Sequence, residues 1–164
     1  MLRITHATTP DELDQVRELV REYTRWAYTL EEGSESSSAF AGLEDELATL
    51  PGRYGPPDGC FLLAVDGEQA LGCIALRRED ATTAEVKRLY VRAAARGRRL
   101  GAQLVAQLLE RARQAGYARV RLDSHRSMLP AHAIYREAGF RDVPAPPGTP
   151  AWVDQVALFM EITL

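Results

Sequence analysis

The chain has 164 residues, 46% hydrophobic and 26% charged, with a net charge of −3. This balance is that of an ordinary globular protein with room for a sizeable core, and its acidic sign argues against a dedicated nucleic-acid binder. No apolar run approaches the roughly 20 residues that cross a bilayer, so no membrane partner is expected.

Residues 2–7 read as a first strand. Thr9, Pro10 and Glu12 then mark a helix start: Thr9 as cap, Pro10 at the first helical position, Glu12 closing a capping box. The apolar stripe Leu13, Val16, Leu19, Val20 and Tyr23 carries that helix to about Arg25. Trp26, Tyr28 and Leu30 follow, then a polar Ser/Glu segment, 31–38, of loop character. Residues 40–50 read as a second short helix with Leu43, Leu47 and Leu50 on one face. PGRYGPPDG, 51–59, reads as a connecting loop. Strands 60–65 and 69–77 flank Asp66-Gly67, a hairpin signal. Cys60 and Cys73 sit in these apolar runs without metal-ligand spacing. Free thiols in a reducing cytosol are the main reading and a disulfide the alternative. The N-terminus has no apolar h-region, so the expected location is cytoplasmic.

Residues 84–115 organise the rest. Residues 85–91 are strand-like through Val86, Leu89, Tyr90 and Val91. Leu100, Leu104, Val105, Leu108, Leu109 and Ala112 recur at helical spacing. Between them lies ARGRRLGA, 95–102. From 84 to 122 the chain has no Ser, Thr, Asp or Asn, so nothing there caps a helix with its side chain. Gly97 and Gly101 allow a tight turn and close approach of a ligand. Bare N–H groups, the helix dipole and Arg96, Arg98 and Arg99 together make an anion site suited to phosphate. The alternative is a water-capped helix start with solvated arginines. Of 20 basic residues 19 are Arg; Lys87 is the single Lys.

Gly116 stops the helix. Residues 119–122 read as a strand, and a helix beginning near Ser127 runs through Pro130, Ala131, Ile134, Tyr135 and Ala138 to Gly139. Residues 140–143 start a strand, 144–150 form a Pro/Gly-rich loop, and 156–164 close the chain as a strand. There is no internal repeat and no linker, so residues 1–164 read as a single domain.

With ARGRRLGA after the fourth strand and HAIYREAGF, 132–140, after the fifth, the chain resembles the GNAT N-acetyltransferases over essentially its whole length. The family pattern Arg/Gln-x-x-Gly-x-Gly/Ala is met by Arg96 and Gly101, with Arg99 where the middle glycine is usual. The second pattern is met by Ala131, Ile134, Tyr135, Gly139 and Phe140, with Met128 in place of a frequent Asn. The resemblance implies an α/β (α+β) fold: a mixed, mostly antiparallel sheet of six to seven strands, splayed between strands four and five, with four helices packed on both faces. It also implies acetyl-CoA as co-substrate and a small-molecule or peptide amine as partner; no His/Cys/Asp/Glu group has metal-ligand spacing, so no metal is expected. The pyrophosphate is then expected on the amides of Arg98, Arg99, Leu100, Gly101 and Ala102, after the turn at Gly97. The pantetheine is expected along Leu89, Tyr90 and Val91 like an added strand. Arg92, Arg96, Arg98 and Arg99 would neutralise the anionic CoA.

Acetyl transfer to an amine needs a base for the ammonium, a donor for the oxyanion and a proton for the leaving thiolate. Under the resemblance, Glu85 matches the base; otherwise it is an edge or ion-pair residue, with Lys87 on the same strand face. Tyr135 matches the acid for the thiolate; otherwise it is an aromatic core anchor. A backbone N–H near Leu89 or Tyr90 is the expected oxyanion donor. His125 and His132 are alternative bases or structural histidines, and Asp123 and Ser124 are expected to shape the cleft. The acceptor side is expected from Trp26, Tyr28, Glu31, Glu32, Tyr54 and residues 144–152. The expected activity is direct transfer from acetyl-CoA to a primary amine; a non-catalytic acyl-CoA-binding domain is the alternative. Exposed sheet edges allow a homodimer.

Overall fold

The computed structural model describes residues 1–29 and 42–164, and within helix α1 it leaves the Tyr28 side chain undescribed. The expected loop 31–38 and the start of the second helix at 40–41 lie outside the described residues. The elements are β1 (Leu2–His6), α1 (Pro10–Tyr28), α2 (Leu43–Ala48), β2 (Cys60–Asp66), β3 (Gln69–Arg78), β4 (Thr83–Val91), α3 (Leu100–Gln114), β5 (Arg119–His125), α4 (Leu129–Ala138), β6 (Arg141–Val143), α5 (Ala151–Val156) and β7 (Ala157–Thr163).

The strands form a seven-stranded sheet in the order β1-β2-β3-β4-β5-β7-β6. All neighbours pair antiparallel except β4 and β5, which run parallel. β2 and β3 lie at the centre of the covered half and are apolar on both faces. Phe61, Leu63, Val65, Cys73 and Ala75 pack under Val16, Leu19 and Val20 of α1 and Leu47 of α2. Leu62, Ile74 and Leu76 pack on the opposite face under Leu100, Leu104, Val105 and Leu108 of α3. Neither strand therefore alternates, as expected where helices cover both sides.

Local signals act where they were legible. Thr9 Oγ1 accepts from the Glu12 amide at 3.3 Å, and Glu12 Oε2 accepts from the Thr9 amide at 3.1 Å, so α1 starts on its capping box. Gly67 turns the β2–β3 hairpin at φ 62°. Two features differ from expectation. Residues 52–54, within the expected irregular loop, form a 3₁₀ turn that buries Tyr54 against Phe61, ring centroids 5.1 Å apart. A fifth helix, α5, precedes β7, so the closing strand begins at Ala157. The Pro150 carbonyl accepts from the amides of Val153 (3.0 Å) and Asp154 (3.1 Å). α5 has no buried residue and hence no apolar stripe to read.

Candidate active site

The site begins with an irregularity in β4. Between the pairs Cys73↔Tyr90 and Ala75↔Lys87, β4 contains one more residue than β3, a bulge. Arg88 absorbs it in the left-handed region at φ 62°, a conformation that costs a non-glycine residue roughly 1–2 kcal/mol. Its guanidinium reaches α2, where Glu46 lies 3.2 Å away. Its carbonyl accepts from Cys73 Sγ at 3.4 Å.

Beyond the bulge the sheet opens. β4 pairs with β5 only from Thr83↔Arg119 to Glu85↔Arg121, and from Val86 onward the β5-facing edge of β4 has no strand partner. Leu89, Tyr90 and Val91 lie half-buried along that edge. Leu89 and Val91 turn toward the α3 core, whereas Tyr90 turns toward α1, its ring 5.9 Å from Tyr23 and 6.4 Å from Trp26.

The turn that follows leads into α3. Gly97 sits at φ 82° and Arg99, the cap residue, at φ 56°. No side chain caps the helix, and Gln103 is the residue whose amide returns to the Arg99 carbonyl, at 3.1 Å. The Arg96 guanidinium lies 5.9 Å from the Trp26 ring centroid and donates to the Val91 carbonyl at 3.2 Å. Arg98 reaches Asp66 at 3.5 Å, and Arg99 pairs with Glu137 of α4. Leu100 is buried in the core and Ala102 half-buried. Gly101 packs closely: a Cβ there would lie 2.8 Å from Ile134 Cδ1, so a side chain would require the tip of Ile134 to move. Arg92, grouped by sequence with the CoA-neutralising arginines, points elsewhere. It is held by Glu22 at 2.6 Å and Glu18 at 2.8 Å and donates to the Ala70 carbonyl at 2.8 Å.

Tyr135 is buried on α4, its ring 5.5 Å from Phe140 in an edge contact. Burial pushes its hydroxyl above the usual phenol range, with Tyr23 and Asp123 adding to the shift. On the α1 side of the sheet, Glu85 is held by two cations: Lys87 Nζ at 2.7 Å and Arg77 at 3.4 Å. Lys87 also reaches Asp123 of β5 at 3.3 Å. Beside them lies a pocket of about 100 Å³, lined by Glu79, Glu85, Arg121 and Asp123, with Pro144 and Phe159 among its apolar walls.

The remaining expectations separate. His132 is buried, its Nε2 3.1 Å from Ser124 Oγ, and burial lowers its pKa; that is a packed, partnered histidine. His125 pairs through Nδ1 with Ser127 Oγ at 2.6 Å. Tyr54, expected on the acceptor side, is a core residue that donates to Glu46 at 2.8 Å, its hydroxyl pushed by burial to about 12. Trp26 stands against Arg96 and Tyr90. Tyr28's side chain, Glu31 and Glu32 lie outside the described residues. Pro144 and Pro146 do reach the small pocket, while Trp152 is exposed on α5. Arg77, Glu79 and Tyr23 were missed. The only signal for Arg77 was that a tight β3–β4 turn would set it opposite Glu85. Among the described residues no cluster of metal-ligating side chains occurs, and no helix is long and apolar enough to cross a membrane. Cys60 and Cys73 are both buried and unbonded.

Comparison with known proteins agrees with this geometry. The chain is 36% identical over 142 residues to an uncharacterized N-acetyltransferase of Schizosaccharomyces pombe, covering 85% of this chain and 83% of the relative. Its fold is similar to that of an acetyltransferase from Streptococcus agalactiae (TM-score 0.77, 23% identity, 99% and 98% of the two chains). It is similar also to PaiA N-acetyltransferase from Thermoplasma acidophilum, solved in complex with coenzyme A (TM-score 0.77, 20% identity, 100% and 99%). The acetyltransferase (GNAT) family model matches residues 13–140; the chain, with its parted β4 and β5 and uncapped α3, belongs to the GNAT acetyltransferase family.

Proposed function

We propose that this chain, as one domain over residues 1–164, transfers an acetyl group from acetyl-CoA directly to a primary amine within a ternary complex. The observation that carries the reading is the parting of β4 from β5 after Glu85, with the uncapped start of α3 at one end of the opening and buried Tyr135 beside it. The residues present fit a CoA thioester. The unpartnered edge at Leu89, Tyr90 and Val91 suits an amide-bearing arm that pairs like a strand. The amides of Arg98, Arg99, Leu100, Gly101 and Ala102, following the Gly97 turn, suit a pyrophosphate, with Arg96, Arg98 and Arg99 near it. Arg92 is left out of this set because Glu18 and Glu22 already neutralise it.

Each proton then has a place. The acceptor ammonium gives one to Glu85, directly or through a water; its nitrogen forms the bond to the acetyl carbon and gives its second proton to solvent as the tetrahedral adduct collapses. The oxyanion that develops accepts from a β4 amide at Leu89 or Tyr90, next to the bulge. As the C–S bond breaks, the Tyr135 hydroxyl gives its proton to the sulfur and regains one from solvent. An acyl-enzyme on Cys60 or Cys73 is disfavoured. Burial raises these thiols to about 11 and about 12, far from the thiolate that attacks. A reducing, cytoplasmic location belongs to the same proposal.

One observation favours acyl-CoA binding without turnover: Glu85 is already paired with Lys87 and Arg77. Incubation with acetyl-CoA and a panel of amines, reading free thiol, separates the two readings. Tyr135→Phe is expected to lower kcat by roughly 10²-fold while cofactor binding by calorimetry is unchanged. Tight CoA binding with no thiol release from any amine would support the binding-only reading, and full activity in Tyr135→Phe would remove the tyrosine from the mechanism.

A further inference from the structure

The mouth of the β4–β5 opening already holds a primary ammonium, and it belongs to the protein. Lys87 Nζ lies 2.7 Å from Glu85 Oε1 and 3.3 Å from Asp123 Oδ1, spanning the point where the two strands separate. The chain uses Arg at every other basic position, so the alkylammonium at this point stands out. An ammonium offers three rotatable donors from a compact charge, whereas a guanidinium is a rigid planar fork. Lys87 is mostly buried, at 23% side-chain exposure, as is Glu85 at 17%.

The adjoining pocket extends the pattern. Its charged lining is Glu79, Glu85 and Asp123 against Arg121. That arginine is already taken by Glu161 at 2.7 Å and Glu79 at 3.8 Å. Burial and then the nearby Glu85 hold the Glu79 carboxyl above its usual range, so displacing Lys87 would leave Glu79, Glu85 and Asp123 facing the pocket against Arg77 and the Glu161-paired Arg121. Arg77 faces Glu85 from β3, and the Arg88–Glu46 pair closes the α2 side. The walls are apolar, Pro144 and Phe159 among them. At about 100 Å³ the pocket holds the volume of about three waters at ~30 Å³ each, enough for the head of an acceptor.

We infer that Lys87 is a resident stand-in for the acceptor: the incoming alkylammonium displaces Lys87 Nζ and takes over its contacts to Glu85 and Asp123. The inference rests on the acetyl-transfer reading of this same opening and adds the acceptor class. That class is a cationic primary amine on a compact apolar stem, with no carboxylate beside the nitrogen, since an acid would face three carboxylates. Displacement also releases Glu85 from its nearer cation, so the base becomes effective only when an acceptor has arrived.

The test uses n-butylammonium, 1-butanol and β-alanine as probes, with binding followed by ligand-observed NMR and turnover by thiol release. In Lys87→Met, butylammonium is expected to bind about fivefold tighter, and its KM to fall in step. Lys87→Arg keeps a competing cation and gains nothing. Glu85→Gln with Asp123→Asn loses butylammonium binding, and butanol binds weakly throughout. Lys87→Gln gives the same reading if Lys87→Met fails to fold. Butylammonium binding that is no tighter in Lys87→Met and Lys87→Gln than in the wild type overturns the inference, as does β-alanine binding better than butylammonium. If no amine releases thiol yet Lys87→Met still binds butylammonium more tightly, acetyl transfer fails while the displaceable ammonium site at Glu85 and Asp123 stands. If thiol is released normally but neither Kd nor KM moves, the acceptor assignment fails and acetyl transfer stands.

Discussion

Arg99 stands where the family pattern favours glycine, and the backbone explains the preference. At φ 56° it is in the left-handed region, at a cost of roughly 1–2 kcal/mol for a side-chain-bearing residue. Its exposed ion pair with Glu137 returns about 0.2–1 kcal/mol, and a glycine would carry roughly 0.5–1 kcal/mol of added unfolded-state entropy. The terms nearly cancel, so Arg99→Gly is expected to shift stability by less than about 1 kcal/mol in chemical denaturation. A loss beyond about 2 kcal/mol would mean that the Glu137 contact seats the turn. Gly101 shows the reverse situation: its φ is ordinary, and its lack of a side chain is used against Ile134.

At the scale of elements, β4 does several jobs at once. Its first three residues tie the two halves of the sheet together, its bulge redirects the chain at Arg88, and its last residues form the open edge. That edge is held in place from behind by β3. Gly72 pairs with Val91, and a Cβ at Gly72 would lie 2.7 Å from the Tyr90 carbonyl oxygen. The obstacle is backbone, so relief requires β4 to move. Gly72→Ala is therefore expected to destabilise the fold by about 1–3 kcal/mol and to raise KM for acetyl-CoA more than it lowers kcat, because the binding edge shifts while Tyr135 on α4 does not. Steady-state kinetics beside a denaturation curve would check this. An unchanged KM with full stability would mean that the β3–β4 seam tolerates the methyl without moving the edge.

At the scale of the whole molecule, two apolar layers sandwich β2 and β3. α1 and α2 close one layer and α3 and α4 the other. Cys60 falls in one layer and Cys73 in the other, so the two thiols report on both. With burial raising them to about 11 and about 12, neither is expected to react with a thiol reagent at pH 8 in the folded protein. Both are expected to react at the rate of global unfolding. Rapid labelling of Cys73 alone in native conditions would show the α1 layer opening by itself.

The sequence by itself determined whatever depends on neighbours along the chain. The Thr9 capping box, the Gly67 hairpin, the α3 stripe and the uncapped start of that helix are all local chemistry, and each appears where its residues put it. The order of these elements, with the motifs around Arg96 and Tyr135, was enough to read the family. Only the tertiary structure decided which side chains meet. Arg92 and Arg98 look alike in the sequence, yet Glu18 and Glu22, far upstream on α1, take the first, while the second lies beside Asp66. Tyr54 looked like a loop aromatic until α2 and β2 closed over it. The pairing of Lys87 with both Glu85 and Asp123 needs a parallel seam that ends after Glu85 and Arg121. Such contacts are set by sheet register and by the point at which two strands part, and no local propensity along the chain records either.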